Sequence, residues 1–112
     1  MSELENRVAD LLRDRGFYVL TRQNHCDVLA IKHQVPFLIE CKNYDLTSKQ
    51  QAKAIRQLNR NYTYALETLL QLRLPVRLPV IKILVAKSFD HWSRNISLYT
   101  YEELEDFMKG VK

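Results

Sequence analysis

The sequence predicts a single α/β domain over residues 1–112, with a mixed sheet of about five strands flanked by helices in the order αβββαββα. Three observations predict it. Strand-like runs follow one another between Phe17 and Asn43, separated only by short polar punctuation. A long amphipathic run then precedes the purest apolar strand of the chain, Val80 to Ala86, as a crossover to a parallel neighbour requires. Helical patterns with caps open and close the sequence.

The elements follow in order. Leu4, Val8, Leu11 and Leu12 recur at helical spacing behind Ser2, a capping residue, and Gly16 supplies the stop. Phe17 to Arg22 reads as a strand, Gln23 to His25 as a turn, Cys26 to Lys32 as a second strand, His33 to Val35 as a tight connection, and Pro36 to Asn43 as a third strand. Thr47 or Ser48 caps a helix over Lys49 to Leu72. Its expected apolar stripe is Ile55, Leu58, Tyr62, Ala65, Leu66 and Leu69, and its polar face carries Lys53, Arg56, Gln57 and Arg60. Pro75 and Pro79 bracket a break before Val80 to Ala86. A loop with Asp90, His91, Trp92 and Arg94 leads to a short strand near Ile96 to Tyr99. Thr100 and Glu103 then form a capping box for a last helix to about Lys109.

Composition narrows the function. The formal charge of +4 suits a polyanionic partner. The two cysteines, Cys26 and Cys41, sit inside apolar runs without a CxxC or a histidine at ligand spacing, which argues against a disulfide framework and a zinc site. The first fifteen residues are charged throughout, with no apolar segment of a signal peptide, and no window has the length of a membrane span. The expected setting is cytoplasmic, with no membrane partner. The leucine-rich stretch from Leu66 to Leu78 serves either to cap the core or as the contact of a homodimer.

The chemistry concentrates between Cys26 and Lys42. Alternation along the third strand points Glu40 and Lys42 together, and gives Asp27 the face of Leu29 and Ile31. A hairpin turning at His33 to Val35 brings Asp27 beside Glu40, because both lie about equally far from the turn. Two carboxylates in apolar surroundings repel each other and lose hydration unless a cation offsets them, and a hard divalent ion is the usual answer. The expected ligands are Asp27, Glu40 and the main-chain carbonyl of Cys41, with Mg²⁺ or Mn²⁺ as the ion. Lys42 would orient or activate water and stabilise transition-state charge, and Glu5 on the first helix would add a carboxylate. Such a site suits hydrolysis of a phosphodiester. Arg22, His25, Lys49 and Lys53 are candidate DNA contacts, with Arg56 and Arg60 beside them. Trp92, Tyr99 and Tyr101 either stack on bases or finish a core.

Asp27 followed by Glu40-Cys41-Lys42 at the end of an apolar strand resembles the PD-(D/E)XK nuclease superfamily, and the spacing is most similar to archaeal Holliday junction resolvases. Glu5 ahead of Gly16-Phe17 extends the resemblance, which covers Glu5 to Lys42 and, beyond that, element order. Cys26 stands where the motif name has proline, and Thr21 to Cys26 lacks the Ser/Gly-rich loop common in resolvases. The resemblance implies a restriction-endonuclease-like core and a metal-dependent endonuclease acting on DNA, with branched or structured DNA among the substrates. It also implies an accessory glutamine on the long helix, Gln51 or Gln57; Gln51 falls on the core-facing side and Gln57 points away. Two rival readings stay open: a catalytically silent nucleic-acid-binding or assembly module, and a nuclease subunit that needs a partner for substrate choice.

Overall fold

A computed structural model describes residues 2–23, 26–90, 92–93 and 95–111 of the chain. Helix α1 (Glu3–Asp14) leads into strands β1 (Tyr18–Gln23), β2 (Cys26–Lys32) and β3 (Val35–Cys41). Helix α2 (Ser48–Gln71), strands β4 (Ile81–Val85) and β5 (Ser97–Tyr99), and helix α3 (Tyr101–Lys109) complete it. The order αβββαββα is the expected one.

The strands form one mixed sheet in sequence order, β1-β2-β3-β4-β5. β1–β2 and β2–β3 are antiparallel, while β3–β4 and β4–β5 are parallel. Successive hairpin strands can return on themselves, but β4 needs a connection long enough to bring the chain back to the start of the sheet, and α2 is that connection. Two apolar clusters lie on opposite faces. Leu4, Val8 and Leu12 of α1 and Leu104 and Met108 of α3 pack on Val28, Ala30, Phe37, Ile39 and Ile83. Ala54, Leu58, Ala65 and Leu69 of α2 pack on Leu29, Leu38 and Leu84. The sheet is thus covered on both faces, as its apolar central strands require.

Local chemistry explains the boundaries. Ser2 accepts the amide of Glu5 at the start of α1, Thr47 forms a capping box with Gln50, and Thr100 forms one with Glu103. Gly16 has φ of 84°, the left-handed position that ends a helix, and the Lys32 ammonium donates to the carbonyl of Arg15 there.

Several details depart from the sequence reading. The β2–β3 turn is two residues, with His33 and Gln34 both at positive φ (51° and 71°), so Val35 belongs to β3, paired with Lys32. Both central residues of such a turn need the left-handed conformation that asparagine and glycine usually supply, and neither stands here. β3 ends at Cys41, two residues before Asn43. On α2 the buried face is Gln51, Ala54, Leu58, Ala65 and Leu69; Tyr62 lies on its rim, exposed, with the Lys82 ammonium 4.8 Å from its ring centre. Within Leu66–Leu78, Leu69 is buried and Leu74 and Val76 pack on the α2 cluster, whereas Leu70, Leu72 and Leu78 are exposed. Among the described residues, no helix is long and apolar enough to cross a membrane.

Candidate active site

The β2–β3 ladder fixes the site. Its register pairs Val28 with Ile39 and Lys32 with Val35, and one further step sets Asp27 opposite Glu40. Beyond Val28 and Ile39 the strands are tied through side chains. The main-chain amide of Asp27 donates to Glu40 Oε1 at 3.2 Å, and the amide of Cys41 donates to Asp27 Oδ2 at 2.8 Å. Two carboxylate oxygens thus do the work of ladder carbonyls, and each carboxylate is held on the opposite strand's backbone.

One expectation is corrected here. Cys26 is buried in the same cluster as Leu29 and Ile31, although strict alternation would give it the face of Val28 and Ala30. The alternation therefore breaks at the first residues of β2, and Asp27 does not continue the Leu29–Ile31 face. Its carboxylate turns to the Cys41 amide and feels the charge of Glu5 on α1.

Electrostatics mark the pair as unusual. Glu40 is only 4% exposed. Burial, then the charge of Asp27, pushes its carboxyl up to about 7, against the opposing pull of the Lys42 ammonium and the Asp27 amide. Lys42 Nζ stands 3.6 Å from Glu40 Oε2, with a quarter of its side chain exposed. Asp27 is raised as well, by burial first and by Glu5, while the Cys41 amide and Lys42 lower it. Buried thiols beside these anions stay protonated, since burial and the carboxylates raise both Cys26 and Cys41. The site offers hard oxygen donors and no thiolate.

Whether that donor set fits a metal turns on the number of ligands. Among the described residues, no group of three or more His, Cys, Asp or Glu side chains is arranged to hold an ion. The described residues therefore form no closed structural cage. That leaves the mode typical of Mg²⁺, which is bound through one or two carboxylates, keeps several waters and takes its remaining ligands from substrate phosphates. Asp27 and Glu40, whose proton affinities are raised first by burial and then by neighbouring carboxylates, Glu5 for Asp27 and Asp27 for Glu40, fit that mode.

The other predicted residues divide. Glu5 is half-buried at the start of α1; its carboxylate accepts from the Ser2 hydroxyl at 3.2 Å while its charge reaches Asp27 and Cys41. Gln51 is fully buried and accepts the Asp90 amide at 3.0 Å, pinning the segment that follows β4. Gln57 lies instead beside Lys53, Arg56 and Arg60 along a surface hollow of about 300 Å³. Lys49 and Lys53 are exposed on α2. His25 and the side chain of Arg22 lie outside the described residues. Tyr99 stacks on Phe107 and Tyr101 lies under the Arg7 guanidinium, 3.9 Å from the ring centre, so both are held by protein neighbours, while Trp92 is 76% exposed.

Arg7, Asn43 and Lys87 escape the sequence reading. They line a hollow of about 220 Å³ with Leu4, Thr100 and Tyr101, and Asn43 directly follows Lys42 in the chain. Nothing in local spacing joins residues 7, 43 and 87; the parallel placement of β3 and β4 brings 43 and 87 together, and α1 packed on the sheet adds 7. The segments after those strands are tied by Lys87 to the Tyr44 carbonyl, Leu46 to the Ser88 carbonyl, and the Ser88 hydroxyl to Asp45 at 2.8 Å.

No protein-family model matches the chain, and no curated protein matches it significantly in sequence.

Proposed function

We propose that the protein is a metal-dependent endonuclease hydrolysing phosphodiester bonds in DNA, on a core of the restriction-endonuclease-like type. One observation carries the reading: Asp27 and Glu40 are crossed at the end of a hairpin and deprived of water, and Lys42 is the cation that pairs with Glu40. Two carboxylates so placed, raised by burial and by neighbouring negative charge, gain from a divalent cation. A structural ion pair needs one carboxylate.

Asp27, Glu40 and the main-chain carbonyl of Cys41 are the residues that would hold Mg²⁺ or Mn²⁺. Such an ion supplies positive charge to the non-bridging phosphate oxygens and acidifies water. The chain's own groups supply the rest. The Asp27 and Cys41 amides each fix one carboxylate oxygen, so the pair is preorganised before substrate arrives. The Lys42 ammonium, on a stem that reaches solvent, can orient the attacking water and stabilise the charge that builds on phosphorus oxygens. Glu5 adds negative charge on the α1 side, which strengthens the demand for a cation. Branched DNA as substrate rests on the resemblance of the Glu5 to Lys42 segment alone.

The test is cleavage of supercoiled, linear, single-stranded and four-way DNA by the purified chain in Mg²⁺, in Mn²⁺ and in EDTA. Metal-dependent nicking lost in Asp27→Asn supports the reading. No cleavage of any form in either ion favours the silent binding module, and cleavage unchanged in Asp27→Asn refutes the site.

A further inference from the structure

We infer that the outer face of α2 is a docking row for a nucleic-acid phosphate backbone. Lys49, Lys53, Arg56 and Arg60 follow at spacings of four, three and four residues, which aligns them on one side of the helix over about 16 Å. That side lies opposite the buried Gln51, Ala54 and Leu58. All four are exposed, and among the described residues none forms an ion pair.

A solvated helix face ordinarily mixes signs and respects the helix dipole, with acids early and bases late. The two other helices obey. α1 has Glu3 and Glu5 in its first turn and Arg13, beside Asp14, in its last; α3 has Glu102 and Glu103 in its first turn and Lys109 in its last. α2 has no acid in its first turn, where Lys49 sits, no base in its last, and Glu67 as its one acid. Lys49 stands at the end where a cation is disfavoured, and the four cations stand at spacings where like charges repel. Such an arrangement is relieved by a polyanion laid across it.

The row is straight and carries a hollow between Lys53, Arg56, Gln57 and Arg60. An anionic membrane would need an apolar helix face, and that of α2 is already spent on the sheet. The inference takes DNA as the polyanion from the proposed nuclease activity, and on that choice it rests on that reading.

Anisotropy of a fluorescein-labelled 20-bp duplex, titrated in EDTA over a salt series, tests it. Lys53→Gln/Arg56→Gln is expected to lose about tenfold in affinity at low salt and to flatten the salt slope by about two. Its melting temperature should not fall, because two repelling charges are gone. Arg60→Gln, as an independent variant, should flatten the slope by about one. Unchanged affinity and slope in both variants overturn the inference, as does competition by polyglutamate equal to that by unlabelled duplex. A wild-type chain that binds DNA through the row yet cuts none with Mg²⁺ or Mn²⁺ overturns the nuclease reading and leaves the row standing. Cleavage with unaltered binding in the variants does the reverse.

Discussion

The backbone amide of Asp27 donates to the carboxylate of Glu40, and the return bond comes from the amide of Cys41 to Asp27. This crossed pair holds two carboxylates on facing strands where the β2–β3 ladder ends, and most of what the site can do follows from that arrangement.

Glu40 destabilises the metal-free fold at neutral pH. Its carboxyl rises from 4.5 in the unfolded chain to about 7 in the folded one. A raised carboxyl binds more protons in the native state than in the unfolded state between those values. The stability it contributes is therefore full below about 4.5 and is lost as pH climbs through 7. Glu40→Gln keeps an acceptor for the Asp27 amide and carries no charge, so it should be more stable than wild type at pH 8 by about 2 kcal/mol. Below pH 4.5 that gain should vanish. Denaturant unfolding in EDTA at both pH values measures it, and loss of metal-dependent cleavage in the same variant should accompany the gain.

Proton and metal compete for the same oxygens. With Glu40 near 7 and Asp27 also raised, affinity for Mn²⁺ should fall about tenfold for each pH unit below 7 and level off above 8. Calorimetry in buffers of different ionisation enthalpy should register proton release at pH 6.5 and little at pH 8.5. A flat affinity between pH 6 and 8 would show that Glu40 is not a ligand.

Lys42 holds Glu40 down. Lys42→Ala removes the principal positive charge acting on that carboxylate, so the Glu40 midpoint should move above 7 and the acidic limb of the cleavage profile should follow it upward. The rate at the new optimum should still fall by about 10²-fold, since the group that stabilises transition-state charge is gone. A pH–rate profile separates the two effects: a shift with full recovery at high pH would restrict Lys42 to tuning Glu40.

Gln51 is buried and holds the Asp90 amide, so its loss should be felt in stability. Replacing it with alanine removes the acceptor of the Asp90 amide and empties the fully buried space of the Gln51 side chain, costing about 2–4 kcal/mol. Thermal unfolding reads the loss, and amide exchange should accelerate at Asp90.

The element order was legible because the residues of the central strands that face α1 and α2 are apolar apart from the site carboxylates, and periods of two and 3.6 residues survive in the raw sequence. Asp27 and Glu40 could be paired because they are placed symmetrically about the His33–Gln34 turn. The turn's own conformation was hidden, since neither residue advertises positive φ. The break in alternation at Cys26 was hidden too, because it follows from where the strands part. The Arg7, Asn43 and Lys87 hollow depends on contacts between residues tens of positions apart, which no local pattern encodes.

The most direct measurement is a crystal of the protein soaked in Mn²⁺ at pH 8, with the ion located by anomalous scattering. The expected result is one peak bonded to a carboxylate oxygen of Asp27 and one of Glu40, absent from Asp27→Asn crystals treated identically. A map with no peak between these two side chains at saturating Mn²⁺, or the same peak persisting in Asp27→Asn, contradicts the proposed metal centre.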